Sequence, residues 1–174
     1  MKIWPLIASI AFVTSVHAQT PYAGMQTRPI KALSEQQIAD LGAGRGMSLA
    51  LAAELNGYPG PLHVLELADK LELSAEQRAG MQRLFDSMKA EAMPLGAKLI
   101  EQEAELDKQF AARTVTPESL KASTAAVAAT QGTLRETHLK YHLSTGSILT
   151  PSQMTKYAEL RGYGGGGHKR HHHH

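Results

Sequence analysis

Two histidines, His138 and His142, stand four residues apart in the second half of the chain. In a helix this spacing places both imidazoles on one face, one turn apart, where they can chelate a single divalent ion. A second helix packed antiparallel to this one would bring Met88 and Glu91 within reach. Two imidazoles, a thioether and a carboxylate suit copper, zinc or nickel. The alternative is that His138 is a hydrogen-bonded core residue and His142 is solvated.

A second group of histidines follows a run of four glycines at the end of the chain. Its members are His168, His171, His172, His173 and His174. Neutral imidazole is a good ligand for transition metals, so we expect this tail to bind metal with low specificity. An engineered purification tag is the alternative. Against it, the run has only four consecutive histidines, and Lys169-Arg170 separates it from His168.

Other motifs are weaker evidence for a binding or catalytic site. Three of the seven methionines lie on the longest predicted helix: Met81, Met88 and Met93. They could bind Cu(I), although core filling also explains them. His63 and Glu66 are spaced for an ion pair or a solvated face rather than a ligand pair. The glycine-rich residues 42–46 lack the strand and the Gly-Lys-[Ser/Thr] sequence of a phosphate loop, and no nucleophile elbow occurs, so we expect no enzyme.

The first residues are typical of a cleaved signal peptide. Lys2 precedes an apolar run over residues 3–16, and small residues flank His17, so we expect cleavage after Ala18 and a periplasmic protein. The run is shorter than the roughly 20 residues that a bilayer requires, which argues against stable membrane insertion. The chain has no cysteine, so neither disulfides nor thiol chemistry is available. A scattered net charge of +2 argues against a nucleic-acid partner.

The composition predicts an all-α fold, because aromatic residues make up only 5% and good helix formers are abundant. We divide the chain into a signal peptide at 1–18, a flexible leader at 19–32, a helical-hairpin domain at 33–163 and a glycine- and histidine-rich tail at 164–174. The connection at residues 113–116 makes two long helices an antiparallel hairpin.

Apolar spacing defines the facing sides of these two helices. The second helix carries five apolar residues that follow one another at intervals of seven: Leu120, Val127, Leu134, Tyr141 and Ile148. Pro94 predicts a kink near Ala90 in the first helix, because it removes one hydrogen bond. Shorter helices at 47–55 and from Pro61 to about Leu71 would brace the hairpin. Such a thin bundle buries little surface by itself, so we expect a homodimer.

Three predicted helix starts share the pattern L-[ST]-x-x-Q. They are Leu73–Gln77, Leu149–Gln153 and Leu33–Gln37. One copy is only a capping box. Two copies at the starts of a long and a final helix, after a signal peptide, resemble the LTxxQ family of periplasmic helical-hairpin proteins. Its members include the Spy, CpxP and ZraP chaperones and CnrX-type heavy-metal sensors. The resemblance covers residues 62–163, and residues 42–61 have no counterpart in the family motif.

The resemblance implies a periplasmic envelope-stress protein, an ATP-independent chaperone of Spy/CpxP type that requires no cofactor and holds unfolded envelope proteins. The alternative is a heavy-metal-binding or sensing protein of CnrX/ZraP type, acting with a membrane signalling protein. CnrX-type sensors use His, Glu and Met ligands, which favours His138 and His142 as a site for copper, zinc or nickel. The near-neutral charge departs from the basic concave surface attributed to the chaperones.

Overall fold

The computed structural model describes residues 21–163, which form helices, turns and loops without a strand. A 3-10 helix at Met25–Thr27 precedes six α-helices. These are α1 (Glu35–Gly42), α2 (Leu51–Glu54), α3 (Pro61–Glu66), α4 (Ala75–Ala111), α5 (Pro117–Gly146) and α6 (Pro151–Leu160). The predicted signal peptide and the histidine-rich tail lie outside the described residues. Among the helices of residues 21–163, none combines the length and apolar character that crossing a bilayer requires.

The two long helices α4 and α5 pack against each other along most of their length. The predicted apolar pattern is confirmed in the middle of the hairpin, where Leu99, Val127 and Leu134 are buried together. At the tip it is wrong, since Phe110 and Leu120 are exposed. α4 continues through Pro94 as one helix. Proline has no backbone N–H to donate, and Pro94 lies on an exposed part of the helix surface.

Helix α1 lies across α4 at a point that requires glycine. A Cβ atom on Gly96 would stand 2.1 Å from the carbonyl oxygen of Leu41, so only a hydrogen allows this approach. The contact places Leu41 in a core with Leu99 of α4. Residues 21–32, expected to be a flexible leader, contribute the buried side chain of Ile30 to the same core.

The L-[ST]-x-x-Q segments start α1, α4 and α6, each with a complete capping box. The glutamines of the last two segments also join their helices. Gln77 Nε2 donates to Gln153 Oε1 at 2.8 Å, and Gln153 Nε2 donates back to Gln77 Oε1 at 3.0 Å. The pair also donates to the carbonyl oxygens of Ile148 and Leu71. A local capping motif therefore becomes a long-range connection between two helix N-termini.

Two short helices are shorter than predicted. α2 cannot begin at Met47, because Met47 and Ser48 have positive φ angles of 38° and 74°. α3 ends at Glu66, and the chain then turns through residues 67–72 with Glu72 at φ 53°. This turn buries both Leu71 and Leu73, which a continuing helix could not place on the same core.

Candidate metal-binding site

A cavity of about 260 Å³ lies between the segment 46–63 and the facing sides of α4 and α5. Its walls carry imidazole, carboxylate and thioether groups together. The side chains with these groups are Met47, Glu54, His63, Met88, His138 and His142. Nitrogen, oxygen and sulfur donors of this kind are those that bind late transition metals.

The two histidines of α5 are both buried, His138 at 2% and His142 at 6% exposure. His142 Nδ1 lies 2.7 Å from the carbonyl oxygen of Tyr58. A carbonyl can only accept, so Nδ1 donates its hydrogen and the lone pair of neutral His142 is on Nε2. His138 Nε2 is buried without a hydrogen-bond partner among the described residues. Burial, with a smaller effect of nearby His142, lowers the pKa of His138 and favours the neutral imidazole that can act as a ligand.

Two glycines give these imidazoles their space. A Cβ on Gly60 would lie 2.9 Å from both Cε1 and Nε2 of His142, and one on Gly46 would lie 3.3 Å from His138 Nδ1. Neither glycine has a positive φ angle, so the requirement is for room rather than for an unusual backbone conformation. The segment 46–63, which includes the short helix predicted at 47–55, therefore forms one wall of the cavity.

Glu54 is a buried carboxylate at the edge of the cavity, 4% exposed. Its Oε1 accepts a hydrogen bond from the Tyr157 hydroxyl of α6, and its Oε2 accepts one from the backbone N–H of Gly60 at 3.1 Å. Burial alone would raise the pKa of Glu54, but His63 and Tyr157 outweigh burial and lower the pKa from 4.5 to about 2. The carboxylate is therefore anionic at neutral pH. Burial and, after it, the Glu54 carboxylate raise the pKa of Tyr157.

The same carboxylate faces two imidazoles of the cavity. Nδ1 of His63 lies 3.4 Å from Oε1 of Glu54, and Nδ1 of His142 lies 3.6 Å from Oε2. Histidines that bind a metal through one ring nitrogen commonly direct the other nitrogen to a carboxylate or a backbone carbonyl. The Tyr58 carbonyl occupies that position for His142, which leaves Nε2 of His142 available as a metal ligand. Nδ1 of His63 makes no hydrogen bond within the described residues, although Glu54 is near it.

The structure brings together three of the site residues expected from the sequence, Met88, His138 and His142. Glu91 does not line the cavity. It is exposed, and it accepts hydrogen bonds from Lys140 and from the Tyr141 hydroxyl, the latter at 2.7 Å. The five tail histidines lie outside the described residues. Within 21–163, no three His, Asp or Glu side chains already lie close enough to share one metal ion, so binding here requires rotation of an imidazole or a thioether ligand.

Glu54 was not predicted as a site residue, and the acidic residue nearest to His63 is Glu54 rather than Glu66. The expected partner of His63, Glu66, instead lies 3.7 Å from Arg161. One signal was present in the sequence. Glu54 is the only charged residue between Gly46 and Leu62, and a lone charge in an apolar stretch must find buried partners when the stretch folds.

The family model described as LTXXQ motif family protein matches residues 62–161, more than half of the chain. The chain belongs to the LTXXQ motif family. This confirms the resemblance drawn from the two L-[ST]-x-x-Q segments. No curated protein and no solved structure gives a significant match. Proteins of this family are in general not enzymes. His63, Met88 and both α5 histidines lie inside the matched range, whereas Met47 and Glu54 precede it.

Proposed function

We propose that this LTXXQ protein binds a late transition-metal ion in the cavity and serves metal sensing or metal resistance in the periplasm. The observation that carries the proposal is the buried His138 Nε2, which has no partner within the described residues and stands on the same helix face as His142. A buried polar atom without a partner costs about 1–3 kcal/mol. Four side-chain atoms of residues 21–163 are in this state, and two of them, His138 Nε2 and His63 Nδ1, belong to imidazoles that line the cavity. A metal ion bound to His138 Nε2 would satisfy that atom.

The available donors fit such an ion. The pKa of His138 is lowered by burial and by His142, so no proton must be displaced from it at neutral pH. His142 is held by the Tyr58 carbonyl with its other nitrogen free. A bound metal ion would be coordinated by the imidazoles of His138 and His142. Glu54, which lies near Nδ1 of His63 and Nδ1 of His142, would orient those two rings.

The location of the cavity suggests how binding would be signalled. One wall belongs to the hairpin and the other to the segment 46–63, so an ion held by both would fix that segment on α5. An ion present at 100 times its dissociation constant stabilises the folded state by about 2.7 kcal/mol. The signal peptide predicted at residues 1–18 would export this chain to the periplasm, where the fixed segment could bind a membrane signalling partner.

Calorimetric titration of copper, zinc and nickel tests the proposal. The protein for this experiment carries asparagine at all five tail histidines, so that binding reports on the helical body alone. We expect a dissociation constant near or below micromolar, roughly 8 kcal/mol of binding free energy. His138→Ala with His142→Ala should abolish binding, whereas Glu91→Gln should leave it unchanged as the matched control. Equal affinity in the double histidine variant would refute the proposed site.

A second candidate function, an ATP-independent chaperone, is favoured by a separate observation. Four apolar side chains of the segment 51–62 are exposed: Leu51, Leu55, Tyr58 and Leu62. Exposed apolar side chains close together in the chain are what a promiscuous client surface requires. The expected homodimer would compete with clients if it used the same surface.

Suppression of aggregation of a reduced, unfolding client tests the chaperone candidate. Leu55→Asp should weaken suppression, because Leu55 is 58% exposed in that segment. Phe110→Asp is the matched control, since Phe110 is 55% exposed but lies at the tip of the hairpin. Equal suppression by the wild type and both variants would exclude the segment as the client surface.

A further inference from the structure

Two thioethers line the cavity beside the imidazoles, those of Met47 and Met88. Met88 is buried on α4, four residues before the buried Ala92. Met47 belongs to the loop between α1 and α2, where it packs against the core of the hairpin. The two methionines reach the cavity from different walls, one from the long hairpin and one from the segment that closes over it.

The loop holds Met47 in an unfavourable backbone conformation. Met47 and the next residue, Ser48, both have positive φ angles, of 38° and 74°. L-residues other than Asn and Asp rarely adopt this region, and each such residue costs on the order of 1–3 kcal/mol. This loop has two such residues in succession at the wall of the cavity. We interpret the unfavourable backbone conformation as the cost of placing the Met47 side chain in the cavity.

Oxygen donors are scarce in the cavity by comparison. Within the described residues, Glu54 is the one carboxylate in its wall, and the Tyr157 hydroxyl and the Gly60 N–H already bind its oxygens. Nor do three His, Asp or Glu side chains of residues 21–163 converge on one point. Zn(II) and Ni(II) favour several nitrogen or oxygen ligands, whereas Cu(I) accepts low coordination numbers and is selected by thioethers.

We propose that the cavity selects Cu(I), and by the same chemistry Ag(I), over Zn(II) and Ni(II). Met47 and Met88 supply the soft donors that decide this preference, beside the imidazoles of His138 and His142. This inference rests on the proposed metal-binding function and names its ligand. A cysteine-free chain suits the task in an oxidising compartment, because thioethers bind Cu(I) without the disulfide formation that removes thiolates.

The test compares Cu(I) and Zn(II) affinities by competition with chromophoric chelators, under anaerobic conditions, in the full chain with asparagine at the tail histidines. Met47→Leu and Met88→Leu are conservative, because Met and Leu are close in volume and such exchanges usually cost less than about 1.5 kcal/mol. Each should weaken Cu(I) binding by at least about tenfold, the loss typical even of residues that only support a metal ligand. Zn(II) affinity should stay the same. Met93→Leu is the control, since Met93 is 42% exposed on the same helix and does not line the cavity.

X-ray absorption at the copper edge gives a second readout that folding defects do not imitate. Sulfur scattering should be present in the wild type and absent when both methionines are leucine. If the wild type binds neither Cu(I) nor Zn(II), the proposed function itself is refuted. If metal binding is lost with His138 and His142 but is indifferent to Met47 and Met88, the site stands and the selectivity inference is wrong.

Discussion

Gly96→Ala should destabilise the protein, although alanine is the better helix former. In α4 the exchange gains about 1 kcal/mol of helix propensity. The new Cβ, however, would stand 2.1 Å from the carbonyl oxygen and 2.7 Å from the carbonyl carbon of Leu41, and these backbone atoms cannot rotate away. α1 must therefore shift and loosen Leu41, which is 3% exposed in the core. Overpacking of this kind costs about 3 kcal/mol at the upper end of its usual range, so the net loss is about 2 kcal/mol.

Urea unfolding followed by circular dichroism measures this loss as a lower midpoint at unchanged slope. Gly132→Ala is the matched control. Gly132 also lies inside a long helix, but no atom of the described residues outside its own turn of helix lies within 4 Å of the position that a Cβ would take. We expect it to stabilise the protein by about 1 kcal/mol. A Gly96→Ala protein as stable as the wild type would refute the close packing of α1 on α4.

Three further predictions concern the hydrogen-bond networks and the cavity. Alanine at Gln77 and at Gln153 should each destabilise the fold, and a double-mutant cycle should show a coupling of about 0.5–1.5 kcal/mol through the amide pair; additive losses would mean that the pair contributes nothing. The Glu54 pKa is lowered from 4.5 to about 2 on folding, so its carboxylate stabilises the metal-free protein above pH 4.5. About 3 kcal/mol of this stability is lost as the pH falls towards 2, and Glu54→Gln should flatten that acid limb in urea titrations. Gly60→Ala places a Cβ 2.9 Å from His142 Nε2, so it should weaken metal binding in calorimetry while costing less than about 2 kcal/mol of stability; unchanged affinity would exclude His142 as a ligand.

The long helices could be predicted because their signals are local. Ser74 and Thr116 cap their helices within three residues, and the heptad of α5 repeats along the same stretch of chain. The start of helix α6 could be predicted in the same way, from Thr150 as its N-cap and Pro151 as its first residue. The antiparallel arrangement followed from the short connection at residues 113–116. Met88 could then be placed opposite the α5 histidines by counting back along the hairpin.

The rest of the site could not be predicted because it depends on contacts between distant parts of the chain. Glu54 and the Tyr157 hydroxyl are far apart in sequence, and nothing local at either residue indicates the other. The positive φ angles of Met47 and Ser48 are likewise invisible, since neither is a glycine. The hydrogen bonds of Glu91 were not predicted, for the same reason. Its position on α4 fits the count along the hairpin, but its carboxylate accepts hydrogen bonds from Lys140 and Tyr141, and Glu91 does not line the cavity.

The residues that line the cavity come partly from inside and partly from outside the range of the family match. The LTXXQ match begins at residue 62, so it includes Met88 and the α5 histidines but not Met47 or Glu54. The family part supplies a hairpin whose end is fixed by the paired glutamines of α4 and α6. The preceding segment closes over it and is itself tied to α6, through Glu54 and Tyr157. In the proposed site the imidazoles of His138 and His142 therefore come from the hairpin, inside the family match, while the orienting carboxylate and one soft donor come from the segment that precedes the match. We therefore expect a substitution at Met47 alone to alter the metal preference of the proposed site, without disturbing the helices that hold the histidines.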